Sequence, residues 1–194
     1  MRSRGDDTDA EIHSLLDRFL GQVIQAAIKQ KAPDIVNYAV SKMAKPLDKA
    51  NALRALGEYY AQEAKDTIKS KAALVESTKE LKQADNDNEK VKASLSLAES
   101  VAAYDPAREY EVLHLAVDII NQLPSPEKEK EKLFYLSLLP VAESLIKTFR
   151  LAAAHDNQNA LNLAQEIRVS ELRVSAISGV YSAPHKEPPK KVKT

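Results

Sequence analysis

The segment from Ile12 to Met43 constrains the fold of this chain more than any other. On a helical wheel, Leu15, Leu16, Phe19, Leu20, Val23, Ile24, Ala27 and Ile28 join Ile12 in an apolar arc of about 220°. A helix that packs one face on one core needs a stripe somewhat over about 100° wide. The surplus predicts burial on two sides, for instance against a sister subunit and against a partner. Lys31-Ala32-Pro33-Asp34 then ends one helix and starts the next, because Pro33 cannot continue a helix but suits its first turn. Asp34 beside it favours the positive end of the helix dipole. The second helix carries Ile35, Val36, Ala39, Val40 and Met43, and Pro46 ends it.

The remaining chain also reads as helix. Four Gly, no Trp and abundant Ala, Leu, Glu, Lys and Gln favour helices, and no Asn-Gly or Asp-Gly hairpin dipeptide occurs. Lys plus Arg equals Asp plus Glu at 28 each, so no net field draws the chain to nucleic acid or an anionic membrane. Without cysteine there is no disulfide framework, thiol nucleophile or thiolate metal site. No apolar segment follows the basic residues at the N-terminus to make a secretory signal, and no uncharged apolar run is long enough to span a bilayer.

Expected divisions follow from the breakers. Residues 1–7 read as a flexible charged tail, with Thr8-Asp9-Ala10-Glu11 as a capping box for the first helix. A two-helix module spans 8–46. Residues 47–88 hold one long, sparsely apolar helix, with Leu53, Leu56, Tyr60, Ile68 and Leu81 inward, broken by the turn-prone run Asp85–Asn88. Residues 89–182 form a helical bundle, in which Asp105-Pro106 caps one helix, Pro140 kinks or interrupts another and 159–177 is the last. Residues 183–194 carry Lys186, Lys190, Lys191 and Lys193 with three prolines, a disordered basic tail that reads as a plain solvated tail, a nuclear import signal or a contact for an acidic surface.

Chemistry is hard to find. His13, His114, His155 and His185 are isolated, and none has a partner at metal-ligand spacing. His155-Asp156 is the nearest approach to an acid–base pair, and it reads as a helix end where the dipole favours histidine. A calcium loop counted from Asp85 needs Gly at its sixth position and an acid at its twelfth, where Lys90 and Ser96 stand. Ser94, Ser96 and Ser100 lack a glycine elbow and a base, and no Gly-rich phosphate loop occurs. No catalytic residue, metal ligand or cofactor site is assigned, and the chain reads as a non-enzymatic interaction protein.

The N-terminal helices resemble the dimerization and docking domain of type II regulatory subunits of the cAMP-dependent protein kinase. The same domain also opens ropporin-like and radial-spoke proteins of cilia. The likeness rests on Leu15-Leu16-x-x-Phe19 with Val23, Ile24 and Ile28, followed by Lys31-Ala32-Pro33-Asp34-Ile35-Val36-x-Tyr38-Ala39, and covers residues 10–46. It implies an antiparallel four-helix dimer, with a sister chain that is identical or paralogous, whose paired first helices receive an amphipathic helix of a scaffold. Mapped on this chain, Ile12, Leu15, Leu16, Phe19 and Val23 line the partner groove. Leu20, Ile24, Ile28, Pro33, Ile35, Val36, Ala39 and Val40 form the core of the module. Gly21 inside the first helix fits a point where backbones approach closely. A cyclic-nucleotide-binding β-roll is excluded, since it needs strands and a glycine-bearing cassette.

The expectation is an all-α chain: a docking module, a long linking helix and a C-terminal bundle. It would act as a structural subunit, without cofactor, nucleic acid or membrane, on the cytoplasmic side and in a ciliary axoneme such as the radial spoke. The alternative is an adaptor or assembly factor of another complex, built as a single helical bundle.

Overall fold

A computed structural model describes residues 4–123 and 131–184, with side chains described for 15–123 and 138–184. All regular structure among the described residues is helical. The chain divides into two compact units. The first runs to Asp85 and includes Ala103–Pro106; the second holds Asn86–Ala102 and the chain from Ala107.

The first unit is built from α1 (Arg4–Lys29), α2 (Pro33–Lys42), α3 (Pro46–Gln62) and α4 (Thr67–Gln83). α1 starts four residues before Thr8, so residues 4–7 are helical and Thr8 lies past the amides that a capping box would serve. α1 ends where the apolar pattern stops. The Ala32 amide bonds to the Ala27 carbonyl and the Lys31 amide to the Ile28 carbonyl, the double bond of a Schellman end, with Lys31 in the left-handed region at φ 57°. Lysine at that position carries a Cβ penalty that glycine lacks. Lys31→Gly is therefore expected to stabilise the unit by about 1 kcal/mol, seen as a rise of roughly 4–8 °C in melting temperature. The exposed Lys31–Glu63 ion pair lost in the exchange contributes little. An unchanged or lowered melting temperature would contradict this account of the helix end.

Leu20, Ile24 and Ala27 of α1, Val36, Ala39 and Met43 near α2, and Ala52, Leu56 and Tyr60 of α3 make one apolar core. The two-helix module is thus completed by a third helix, and the compact unit does not stop at residue 46. The expected single helix over 47–83 is a hairpin. It breaks at Glu63–Asp66, where Lys65 takes φ 55° and the Asp66 side chain accepts the Lys69 amide at 3.0 Å to start α4. That hydrogen bond, more than any neighbouring charge, lowers the Asp66 carboxyl below its ordinary range. α3 and α4 approach closely because Gly57 has no side chain. A Cβ there would stand 3.0 Å from Leu74 side-chain atoms and 3.3 Å from the Ser70 carbonyl. Ser77 donates to the Ala50 carbonyl at 2.7 Å across the same contact. Ile68, expected inward, is instead exposed on α4.

The second unit comprises most of α5 (Asn88–Tyr104), then α6 (Glu109–Gln122), α7 (Glu131–His155), α8 (Asn157–Gln165) and α9 (Ser170–Tyr181). Asp87, inside the expected break, accepts the Lys90 amide at 2.7 Å and caps α5. Asp105-Pro106 does not open α6 directly. Pro106–Arg108 form one 3-10 turn, and the Asp105 carboxylate receives Lys71 Nζ at 2.9 Å within the first unit. α7 runs unbroken through Pro140, and the expected last helix is two helices, separated between Gln165 and Ser170. α9 lies against α7 at Gly179, where the Ile146 backbone occupies the space of a side chain.

His155 ends α7 as its dipole favours, but its partner is not Asp156. Its Nδ1 lies 2.6 Å from Oε2 of the fully buried Glu109, while Asp156 caps α8 by accepting the Asn159 amide at 3.1 Å. The Tyr110 hydroxyl donates toward the Ala152 and Asp156 carbonyls, fastening the start of α6 to the end of α7. Burial, then the nearby Asp156 and Glu109 charges, push the Tyr110 phenol well above its ordinary range.

Candidate interaction surface

The wide arc of α1 divides into two parts. Leu20, Ile24 and Ala27 turn into the core, with Ile28 half-buried against it. Leu15, Leu16 and Phe19 turn away and are 62%, 41% and 61% exposed. Val23 stands between them, half-buried at the core's edge. Continuing that outer face, Gln22, Ala26 and Gln30 are also exposed, so residues 15–30 present an uncharged strip about 22 Å long. The sequence-predicted groove residues Leu15, Leu16, Phe19 and Val23 therefore fall along one face. The side chain of Ile12 lies outside the described residues.

Of the predicted module core, Leu20, Ile24, Val36 and Ala39 are buried, and Ile28, Pro33 and Val40 are half-buried. Ile35 is the correction: it is 49% exposed. Val36, Ala39 and Met43 set the inward line of α2 at three- and four-residue steps, which leaves Ile35 turned about 100° off it. Ile35, Tyr38 and Lys42 instead share an outward line on α2, with Lys42 Nζ 5.4 Å from the Tyr38 ring centroid.

Gly21 does not mark a close approach of backbones. A Cβ there would meet nothing within 4 Å, because Gly21 faces a cavity of about 420 Å³ in the seam between α1 and α3. Arg18, Lys45, Asp48 and Asn51 also line it. A second cavity of about 530 Å³ continues the seam past Arg54 and Ala55 to Lys31 and Glu63.

Sequence reasoning passed over Asp17. It falls between Ile24 and Ile28 on the wheel, an acid placed inside the apolar arc, and that position was the available signal. It is 2% exposed, and its two carboxylate oxygens accept the Ala44 and Lys45 amides, each at 3.0 Å. The carboxylate thereby holds the link between α2 and α3, and so fixes how the outer strip of α1 is displayed. Burial, and then the Asp17 charge, raise the neighbouring Asp48 carboxyl above its ordinary range.

Among the described residues no group of three or more His, Cys, Asp or Glu is placed to hold a metal ion. No described helix is long and apolar enough to cross a membrane. The predicted basic tail, with Lys186, Lys190, Lys191 and Lys193, lies outside the described residues. Comparison of the chain with protein-family models, with curated proteins and with solved structures finds no match in any of the three.

Proposed function

We propose that this protein is a non-enzymatic interaction subunit that dimerizes through α1 and offers the paired surface to an amphipathic helix of a larger assembly. The observation that carries this reading is the uncharged outer strip of α1. Three large apolar side chains on one helix face stay exposed while the opposite side of that helix is spent on the core. Exposed contiguous apolar surface on a soluble chain marks an interaction site. Covering each large side chain contributes up to roughly 1.5–3 kcal/mol before the entropy losses of association. The strip also suits self-pairing: an antiparallel copy of α1 brings no charge against another charge along it. Two such strips side by side make a surface wide enough for the apolar face of a third helix. The likeness to docking domains extends this reading to a ciliary axonemal scaffold such as the radial spoke.

The full chain is expected to sediment as a dimer at micromolar concentration. Phe19→Glu should make it a monomer that keeps its helical content at 25 °C, because an exposed substitution removes no core contact, while its melting temperature falls by what dimerization contributed. A wild-type monomer under these conditions, or a Phe19→Glu chain that stays dimeric, would overturn dimerization through α1.

A further inference from the structure

We infer that the seam between α1 and α3 receives a partner helix from outside the chain, with an acidic flank against α1 and a basic flank against α3. Gly21 is the first observation. Glycine is a poor helix former, and it earns its place inside a helix where another backbone or a ligand comes close. Of the three glycines among residues with described side chains, Gly57 lies against α4 and Gly179 against α7. Gly21 is the third, and a Cβ there meets nothing within 4 Å. It lines the open seam with Ile24, Ala52 and Ala55. The other two mark places where one helix presses on another, and Gly21 leaves the same kind of place empty. It stands two residues from Phe19, about 200° round the helix, so the seam and the outer strip occupy nearly opposite sides of α1.

The charges of the seam describe the occupant. Arg18, Lys29 and Lys31 line it from α1 and the end of that helix. Asp17, the acid on that wall, is held by the Ala44 and Lys45 amides. Asp48, Glu58 and Glu63 line it from α3 and the end of that helix, and Arg54 among them is bonded to Glu58 at 2.6 Å. One wall is therefore basic and the other acidic. Lys31 and Glu63 meet at 3.0 Å and close the seam at one end. Towards Arg18 and Asp48 the walls enclose the cavities of about 420 and 530 Å³. Burial, then the Asp17 charge, hold the Asp48 carboxyl above its ordinary range, with Lys45 an incomplete offset, so a cation on the occupant is favoured there. A helix with like charge on both flanks is repelled along one wall. Turning a split helix end for end exchanges its flanks, so the seam also sets the direction in which the occupant lies.

The test uses the full-length protein and three synthetic 18-residue helices with an identical Ala/Leu inner face. One carries Glu on one flank and Lys on the other, one Gln on both, and one Lys on both. In fluorescence anisotropy at about 0.05 M salt, the split helix is expected to bind about fivefold more tightly than either of the others. At about 0.5 M salt the three should converge within about twofold. Gly21→Leu fills the seam, and should weaken the split helix at least about tenfold without lowering the thermal melt, since leucine is the better helix former. In the double variant Arg18→Glu, Lys29→Glu both walls are acidic, and the helix with Lys on both flanks should become the tightest. The monomeric Phe19→Glu variant should bind the split helix as the wild type does. Binding that survives Gly21→Leu and is lost in Phe19→Glu places the helices on the outer strip; it overturns the seam inference and leaves the proposed function standing. A Gly21→Leu chain that sediments as a monomer gives the seam to a second copy and overturns the partner helix. Equal binding of the split and Gln helices at low salt, or no binding of any helix, overturns the inference, while dimerization through α1 is judged separately by sedimentation.

Discussion

Gly179→Ala is expected to cost the second unit about 3 kcal/mol and to lower its melting temperature by roughly 12–24 °C. α7 and α9 cross with the Gly179 Cα against the Ile146 backbone. An added Cβ would overlap the Ile146 carbonyl oxygen and lie 3.0 Å from its Cα and 3.1 Å from its carbonyl carbon. These are backbone atoms inside a continuous helix, so they cannot turn aside as a side-chain end can. The helices must separate, and the contacts of the buried Phe149, Leu145, Ala176 and Val180 loosen with them. Gly57→Ala is the matched comparison. Its nearest neighbours are flexible Leu74 side-chain atoms, so it should cost distinctly less, seen in thermal melts by circular dichroism. A Gly179→Ala chain that melts like the wild type would mean that α7 and α9 are not packed backbone to backbone.

Ile24→Glu should unfold the first unit. Ile24 is 1% exposed in a core drawn from α1, α2 and α3, and the exchange replaces its apolar contacts there with a buried carboxylate beside the buried Asp17. The cost exceeds what a unit of this size holds in reserve, so its helical signal should melt out in circular dichroism at room temperature. Leu16→Glu lies on the same helix at 41% exposure and should keep the fold while abolishing helix docking. Equal loss of folding in the two variants would mean that the outer strip of α1 is core surface rather than a binding surface.

The contrast between these two positions shows how far the sequence reaches. Periodicity gave the α1 arc and its excess width, since each residue's angle on the wheel follows from chain order alone. It could not say which part of the arc faces inward, because that depends on where α2 and α3 lie. Ile35 shows the same gap: it is as apolar as Val36, and only the line through Val36, Ala39 and Met43 decides that Val36 enters the core.

Helix ends were legible where the signal is a residue type that acts locally. Pro33 and Pro46 open α2 and α3, and Asp87 caps α5. The ends at Lys31 and Lys65 were harder to read, since lysine is not the residue that a left-handed end favours. Lys65 closes α3 inside what otherwise reads as one long helix, and the hairpin is favoured because folding back buries Leu53, Leu56, Leu74 and Leu81, which a straight helix would leave half exposed. Pro140 was legible only as a kink or an interruption, and α7 continues through it.

The sequence by itself determined the helical class, the absence of thiol chemistry and the apolar wealth of α1, because composition and period are properties of the chain alone. Tertiary structure decided the rest. It chose which apolar residues stay outside, drew Asp17 onto the Ala44 and Lys45 amides, and set Glu109 against His155, residues far apart in sequence. Such pairings depend on how whole helices cross. Burial of apolar area fixes the crossing without regard to any one polar group, and each polar group then takes the partner the crossing brings within reach.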